Sequence, residues 1–387
     1  MNLRTTGVCL CLALGVFNGC ASTPALGNNS TSGANPTGPA KGTPEPAKPD
    51  KPREPEKPLQ DQSAETDYAL SDFASRFEMA DDYARSGKRA AGAVVLSGIK
   101  LKLAENAKRE RLFVDLKIAE VWGGDGDARE SDKAREMIRQ VQRSAPDDAR
   151  LLADASLALC VVALADGDLH GAQALAHEAL THYEKAHAHR RFVEACRFSL
   201  RRFLAHDDAK VASDFAARGY ARVCEIEAPS TRCLMALDCA LLSFKAGADQ
   251  AAGPYLEDAF AAGRKANDRW LCNSVVAAAV REFWAKGNAV AVVTWGDRLR
   301  DDTYGLLPTQ AASTLDGVTY AQTLAWYALA QFKESAGAKR TEQSLKAAKD
   351  GLDQALEQAS SLEAGDEALL KDLSEKVEIA LLKIAGG

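Results

Sequence analysis

Residues 166–208 read DGDLHGAQALAHEALTHYEKAHAHRRFVEACRFSLRRFLAHDD, and the reading of this stretch decides the fold of the chain. An alanine-rich run and an arginine-rich run, both without β-branched alternation, lie between three turn signals: Asp166-Gly167-Asp168, His187-Ala188-His189 and His206-Asp207-Asp208. Such runs favour helix over strand, because alanine and long unbranched side chains lose little freedom in a helix. The same beat extends in both directions, with Ser86-Gly87, Asp125-Gly126-Asp127, Gly247-Ala248-Asp249 and Lys286-Gly287-Asn288 spaced by about forty residues or multiples of it. A second series falls halfway between, at Glu105-Asn106, Ala145-Pro146-Asp147, Glu227-Ala228-Pro229 and Asn267-Asp268. Two turns per period leave two helices of about sixteen residues, the signature of an all-α solenoid in which each hairpin buries its apolar stripe only against its neighbours. Seven hairpins are expected, with an irregular insertion near Asp302 to Leu315 before the seventh. A final helix from about Asp366 to Ile384 carries an apolar stripe of Leu369, Leu370, Leu373, Val377, Ile379, Ala380, Leu381 and Ile384, as a terminal cap would.

Composition supports one large helical body behind a different N-terminal region. The chain has 387 residues, 46 % of them hydrophobic, and a net charge of −6 that argues against nucleic acid as the main partner. Nine of the 13 prolines lie between Pro24 and Pro58. Residues 20–65 contain few large apolar side chains and are expected to form a disordered tether, partly polyproline II, ahead of a helical domain spanning 66–387.

The first residues carry Arg4, an apolar run from Gly7 to Phe17, and then Asn18, Gly19 and Cys20. A run of about eleven residues is far shorter than the ~20 needed to cross a bilayer, so residues 1–19 read as an export signal. A small residue before Cys20 and a polar, proline-rich stretch after it resemble a bacterial lipoprotein signal, which implies lipidation of Cys20 as the mature N-terminus. Cleavage after Ala21, with Gly19 and Ala21 as the small pair, is the other reading and would release a soluble protein. Because Ala21-Ser22 rather than aspartate follows Cys20, the resemblance implies the outer membrane, facing the periplasm.

Each second helix repeats small or apolar residues at relative positions 0, 4 and 7. The series are Ala91/Val95/Gly98, Ala134/Ile138/Val141, Ala172/Ala176/Ala179, Ala212/Ala216/Gly219, Ala252/Leu256/Ala259, Ala289/Val293/Gly296 and Ala348/Leu352/Ala355. The pattern resembles the second helix of a tetratricopeptide repeat, and Trp326, Leu329 and Ala330 follow the order of its first-helix signature, with Lys333 where an aromatic is usual. A HEAT-like array has a similar period, but the small-residue pattern favours the tetratricopeptide type, in a long-period form covering residues 66 to 360. That resemblance implies a right-handed αα-superhelix whose first helices line a concave groove for a protein or peptide partner.

Arg190, Arg197 and Arg201 form a stripe on the first helix of the fourth hairpin, opposite Phe192, Cys196, Ser199 and Phe203. On the groove side of such a domain the stripe would suit a carboxylate, an acidic peptide or an anionic polymer. Six cysteines fall in helices, and Cys224 and Cys233 flank the Ala228-Pro229 turn symmetrically, which makes them the candidate disulfide. Asp125, Asp127 and Glu136 match three positions of a calcium loop, but Arg129 and Glu130 occupy others, so the segment reads as a turn. All six histidines lie between His170 and His206, with only Glu178 and His182 at metal-ligand spacing, and the expectation is a solvated polar face. No catalytic motif, cofactor loop or paired-cysteine zinc spacing is present in the sequence. The expectation is therefore a non-enzymatic, membrane-tethered scaffold of a bacterial envelope, without cofactor or metal. Alternatives are an accessory regulator of a peptidoglycan-synthesising enzyme and a hydrolase acting on envelope polymers.

Overall fold

The structure, a computed structural model, describes residues 67–124, 127–300, 317–335, 339–357 and 364–386. The signal, Cys20, the tether, Asp125 and the insertion near Asp302 to Leu315 lie outside the described residues. Among the described residues the regular structure is helical throughout. The α-helices are α1 (Ala74–Arg85), α2 (Arg89–Lys102), α3 (Lys108–Gly123), α4 (Ala128–Ser144), α5 (Ala149–Ala165), α6 (Leu169–Lys185), α7 (His189–Ala205) and α8 (Ala209–Glu225). They continue as α9 (Pro229–Lys245), α10 (Asp249–Lys265), α11 (Arg269–Ala285), α12 (Ala289–Gly296), α13 (Gly317–Glu334), α14 (Lys339–Glu357) and α15 (Ala364–Ala385). A 3-10 turn, Ser71–Phe73, precedes α1, and another, Asp297–Arg300, extends α12. Paired in order they make the seven hairpins, and α15 packs on the last one against both α13 and α14.

Helix length is set by a turn that repeats. From α4 to α11 each helix has 17 residues. From α5 to α12 the connections have three residues, so two helices and two connections fill 40 positions. At the α5–α6 turn Gly167 adopts φ +79°. Its N–H donates to the Leu164 carbonyl at 3.1 Å and the Asp168 N–H to the Ala163 carbonyl at 2.9 Å, a pair of bonds that closes the helix end. Asp168 then accepts from the Gly171 N–H at 2.9 Å and caps the start of α6. One residue thus ends one helix and begins the next. The left-handed position recurs at Asp207, Gly247 and Gly287, one period apart each time, and at His187 and Asn267 in the alternate turns. Asp208, Asp268 and Asn288 repeat the capping role of Asp168.

Neighbouring helices pack in sequence order, and first helices also touch the first helix of the next hairpin: α3 with α5, α7 with α9, α9 with α11 and α11 with α13. The series beginning at Ala134, Ala172, Ala212, Ala252 and Ala348 are buried at all three of their positions. Two hairpins depart from the expected seam. In α2 the buried residues are Gly92, Ala93, Leu96 and Ile99, and in α12 they are Val292, Trp295 and Gly296, followed by Leu299 in the 3-10 turn. Near the end of the array an aromatic has replaced a small residue, and Gly296 makes room for the ring of Tyr327. In α15 the buried stripe is Leu370, Leu373, Val377 and Ala380, while Ile379 lies 45 % exposed, one step round the helix from the face that packs.

Gly219 sits where α8 meets its neighbours: a Cβ there would lie 2.7 Å from Met235 Sδ and 2.8 Å from Cys196 Cβ. Around the position of a Gly98 Cβ no atom lies within 4 Å. Gly219→Ala should therefore destabilise the array by about 1–3 kcal/mol through overpacking, whereas Gly98→Ala should stabilise it by up to ~1 kcal/mol through helix propensity. Urea melts followed by circular dichroism would show shifts of opposite sign.

Candidate interaction surface

A 40-residue period places equivalent side chains of successive hairpins side by side, and polar groups exploit this. Arg109 pairs with Asp148, Arg222 with Glu184, Arg218 with His177 and Arg298 with Glu257, each across roughly one period. Tyr220 likewise donates to Asp258 Oδ2 at 3.0 Å.

The arginine stripe of α7 belongs to this lattice. Arg197 Nε donates to Asp238 Oδ2 at 2.7 Å, Arg201 Nε and Nη2 to Asp238 Oδ1 at 2.9 and 2.6 Å, and Arg190 Nε to Thr231 Oγ1 at 3.2 Å. Asp238 and Thr231 are on α9, the first helix of the next hairpin, so the stripe faces along the array. Arg197 is only 8 % exposed and Asp238 2 %. Burial pulls the Arg201 pKa below its ordinary value, with the Asp238 carboxylate opposing and Arg197 adding to the depression. The expected anion surface at Arg190, Arg197 and Arg201 is thus engaged with α9. Spacings of seven and four placed the three residues on one face but could not say that a partner helix covered it.

A different set of arginines lines the first helices near their N-termini. Arg109, Arg150, Arg191 and Arg232, on α3, α5, α7 and α9, are each 41 positions apart. That spacing is visible in the sequence, one residue off the turn period, and the sequence reading passed over it. Three of these arginines meet a segment that precedes α1. Asp67 Oδ1 receives Arg191 Nε at 2.9 Å and lies 3.4 Å from Arg150 Nη1, while Arg191 also pairs with Glu194. The next residue, Tyr68, stacks on Phe113 of α3 with ring centroids 4.2 Å apart, and the guanidinium groups of Arg109 and Arg150 lie over its ring.

The Tyr68 hydroxyl donates to Asp154 Oδ2 at 2.6 Å, and the Tyr183 hydroxyl donates to Asp154 Oδ1 at 2.5 Å. Arg150 Nε completes the group at 3.0 Å from Asp154 Oδ2. Burial first, and the Asp154 carboxylate second, push both tyrosine pKa values well up, so both hydroxyls remain protonated donors at any physiological pH. The Ala69 N–H approaches Glu110 Oε1 at 3.4 Å, and Leu70 is buried in the cluster of α1 to α3. Residues 67–70 therefore run across the first-helix face from α7 back to α1, held mainly through side chains. This contact spans 124 residues of sequence and has no local signature.

The remaining candidate residues have structural uses. Cys224 is exposed and Cys233 fully buried, and both are free thiols. Equal distance from the turn gives them equal height, but the two helices turn them to different sides, so the expected disulfide is not formed. Burial pushes the Cys233 and Cys160 thiols up to about 12. Asp127 accepts from the Arg129 and Glu130 N–H groups as the cap of α4, in keeping with a turn. Among the histidines, His177 stacks on Phe215, and His182 lies 3.7 Å from Glu178. No group of three or more potential ligands that could hold a metal occurs among the described residues. Lys333, at the position where an aromatic is usual, places its ammonium 4.5 Å from the Trp284 ring centroid. No protein-family model matches this chain, and no curated protein matches it.

Removing the carboxylate in Asp238→Ala leaves two closely spaced arginines without their shared partner and should cost about 3–5 kcal/mol in a urea melt. Among the six cysteines of the helical array, native-state alkylation should modify Cys224 within minutes and the five buried thiols only after unfolding, as read by peptide mass mapping.

Proposed function

We propose that the chain is a lipid-anchored scaffold of a bacterial envelope, non-enzymatic, which engages a protein or peptide partner through the face of its first helices. Supporting the anchor are the short apolar run ending before Cys20 and the proline-rich residues that follow it. No helix among the described residues is long and apolar enough to cross a membrane. The buried small-residue seams and the contacts between successive first helices support a tetratricopeptide-type arrangement within the helical solenoid. In this reading the outer membrane holds the lipid and residues 20–65 set the reach of the domain into the periplasm.

One observation carries the partner-binding part: the first-helix face holds a bent four-residue segment, 67–70, by ion pairs, a tyrosine–carboxylate bond and ring stacking. These are the contacts by which grooves recognise short peptides, with side-chain pockets supplying selectivity.

Two measurements test the two halves. Cys20→Ser should abolish incorporation of a clickable fatty acid and shift the protein from the membrane to the soluble fraction; equal labelling of both forms would overturn the anchor. A photo-crosslinking residue at Glu194, on the first-helix face, should trap a discrete partner in intact cells, and the same probe at Lys210 on a second helix should not. Identical patterns from both positions would count against the groove.

A further inference from the structure

Asp67-Tyr68 occupies a site more elaborate than a segment leading into a helix needs. The carboxylate of Asp67 is approached by arginines from two separate first helices, α5 and α7. Tyr68 is sandwiched between the Phe113 ring and the guanidinium groups of Arg109 and Arg150. Its hydroxyl shares Asp154 with Tyr183, deep in the face, where Arg150 is only 4 % exposed. Three consecutive hairpins therefore contribute to reading two adjacent side chains, one acidic and one a tyrosine. The backbone of residues 67–69 contributes little: the Ala69 N–H reaches Glu110 only at 3.4 Å. Recognition of this kind is indifferent to which chain supplies the pair.

The groove is also complete without it. With Asp67 and Tyr68 withdrawn, Asp154 keeps Arg150 and Tyr183, and Arg191 keeps Glu194. Tyr68 packs on the edge of the cluster that holds Leu151 and Ala155 of α5, whereas the cluster that buries α6 to α8 does not include it. A vacated groove thus keeps its charged groups paired and held in place.

We propose that the face formed by α3, α5 and α7 is a recognition site for a peptide segment bearing an acidic residue followed by tyrosine, and that Asp67-Tyr68 is its resident competitor in cis. The proposal rests on the scaffold reading above and specifies what its groove selects. Because the competitor is covalently attached, it acts at an effective concentration in the millimolar range, and an incoming peptide must displace it. A partner with the same pair and additional contacts along α7 and α9 would do so, whereas a weakly matched peptide would be excluded.

The test uses the full chain and a fluorescein-labelled peptide of residues 63–70, SAETDYAL. The vacated variant Asp67→Ala/Tyr68→Ala should remain as helical as wild type and bind the peptide in fluorescence anisotropy, at least about tenfold more tightly than wild type does. Adding Arg191→Ala to that variant, or replacing the peptide's Asp-Tyr by Ala-Ala, should abolish the signal. Asp67→Ala alone provides the same comparison in milder form if the double variant loses helicity. A folded vacated chain that ignores the peptide overturns the proposal, as does equal affinity in wild type and vacated chain. Concentration-dependent doubling of the wild-type mass, lost in the vacated variant, would instead place the segment in the groove of a second copy and overturn the cis assignment. Peptide binding without any crosslinked partner at Glu194 would sink the scaffold reading and leave this inference standing. A partner crosslinked equally to wild type and vacated chain would do the reverse.

Discussion

The contacts between hairpins from α5 to α12 depend on the constancy of a three-residue turn. In that turn a left-handed residue closes one helix and the following side chain caps the next, at Gly167-Asp168, Asp207-Asp208, Asn267-Asp268 and Gly287-Asn288. No slack is left for a helix to gain or lose a residue without disrupting both its cap and its neighbour's. Successive hairpins are therefore in phase, and a side chain finds its counterpart one period away. Arg197 meets Asp238, Tyr220 meets Asp258 and Arg298 meets Glu257 because the turns hold the count. Where the helices shorten, at α12, the seam changes register and Trp295 and Gly296 take over from the small-residue pattern.

Charge inside the array follows from the same geometry. Burying Asp238 between two arginines gains little net stability, since desolvating three charged groups offsets most of the attraction. Its physical effect lies in what it disfavours. A slide of α7 against α9 would strand at least one buried ion, so the pair holds these two helices in register. Seams built of Ala172, Ala176 and Ala179 in one hairpin and Ala252, Leu256 and Ala259 in another are close in shape. Polar pairing supplies the distinction that these apolar surfaces lack.

Local signals were read well from the sequence and global ones were not. Turn residues, helix count, the five buried seams and the capping helix all rest on spacings within a single hairpin. Rotation about a helix axis is a different kind of information. Arg190, Arg197 and Arg201 were placed on one face, yet what covered that face came from a helix forty residues away. Cys224 and Cys233 shared a height but not a side, which the distance from a turn does not encode. Asp67 and Tyr68 were harder still, standing at the boundary of the proline-rich region with no periodic pattern, their partners 41 to 124 positions distant by way of Arg109 and Arg191. The arginines 41 apart on α3, α5, α7 and α9 were the one available clue, because charge recurring in step with the fold marks a line on its surface.

The path of residues 67–70 also decides how a mechanical load would enter the molecule. Traction on the chain ahead of Asp67 reaches the helical body through α7 and α5, well inside the array, before it reaches α1. The Asp67 ion pairs carry it first, then the Tyr68 stack and its hydroxyl bond, then the buried Leu70. Bonds loaded one after another yield singly at low force, and each yielded step lengthens the attachment by a residue or two while every hairpin stays intact. The segment is in effect a fuse: tension would be relieved by baring the first-helix face, leaving the α1–α2 hairpin folded.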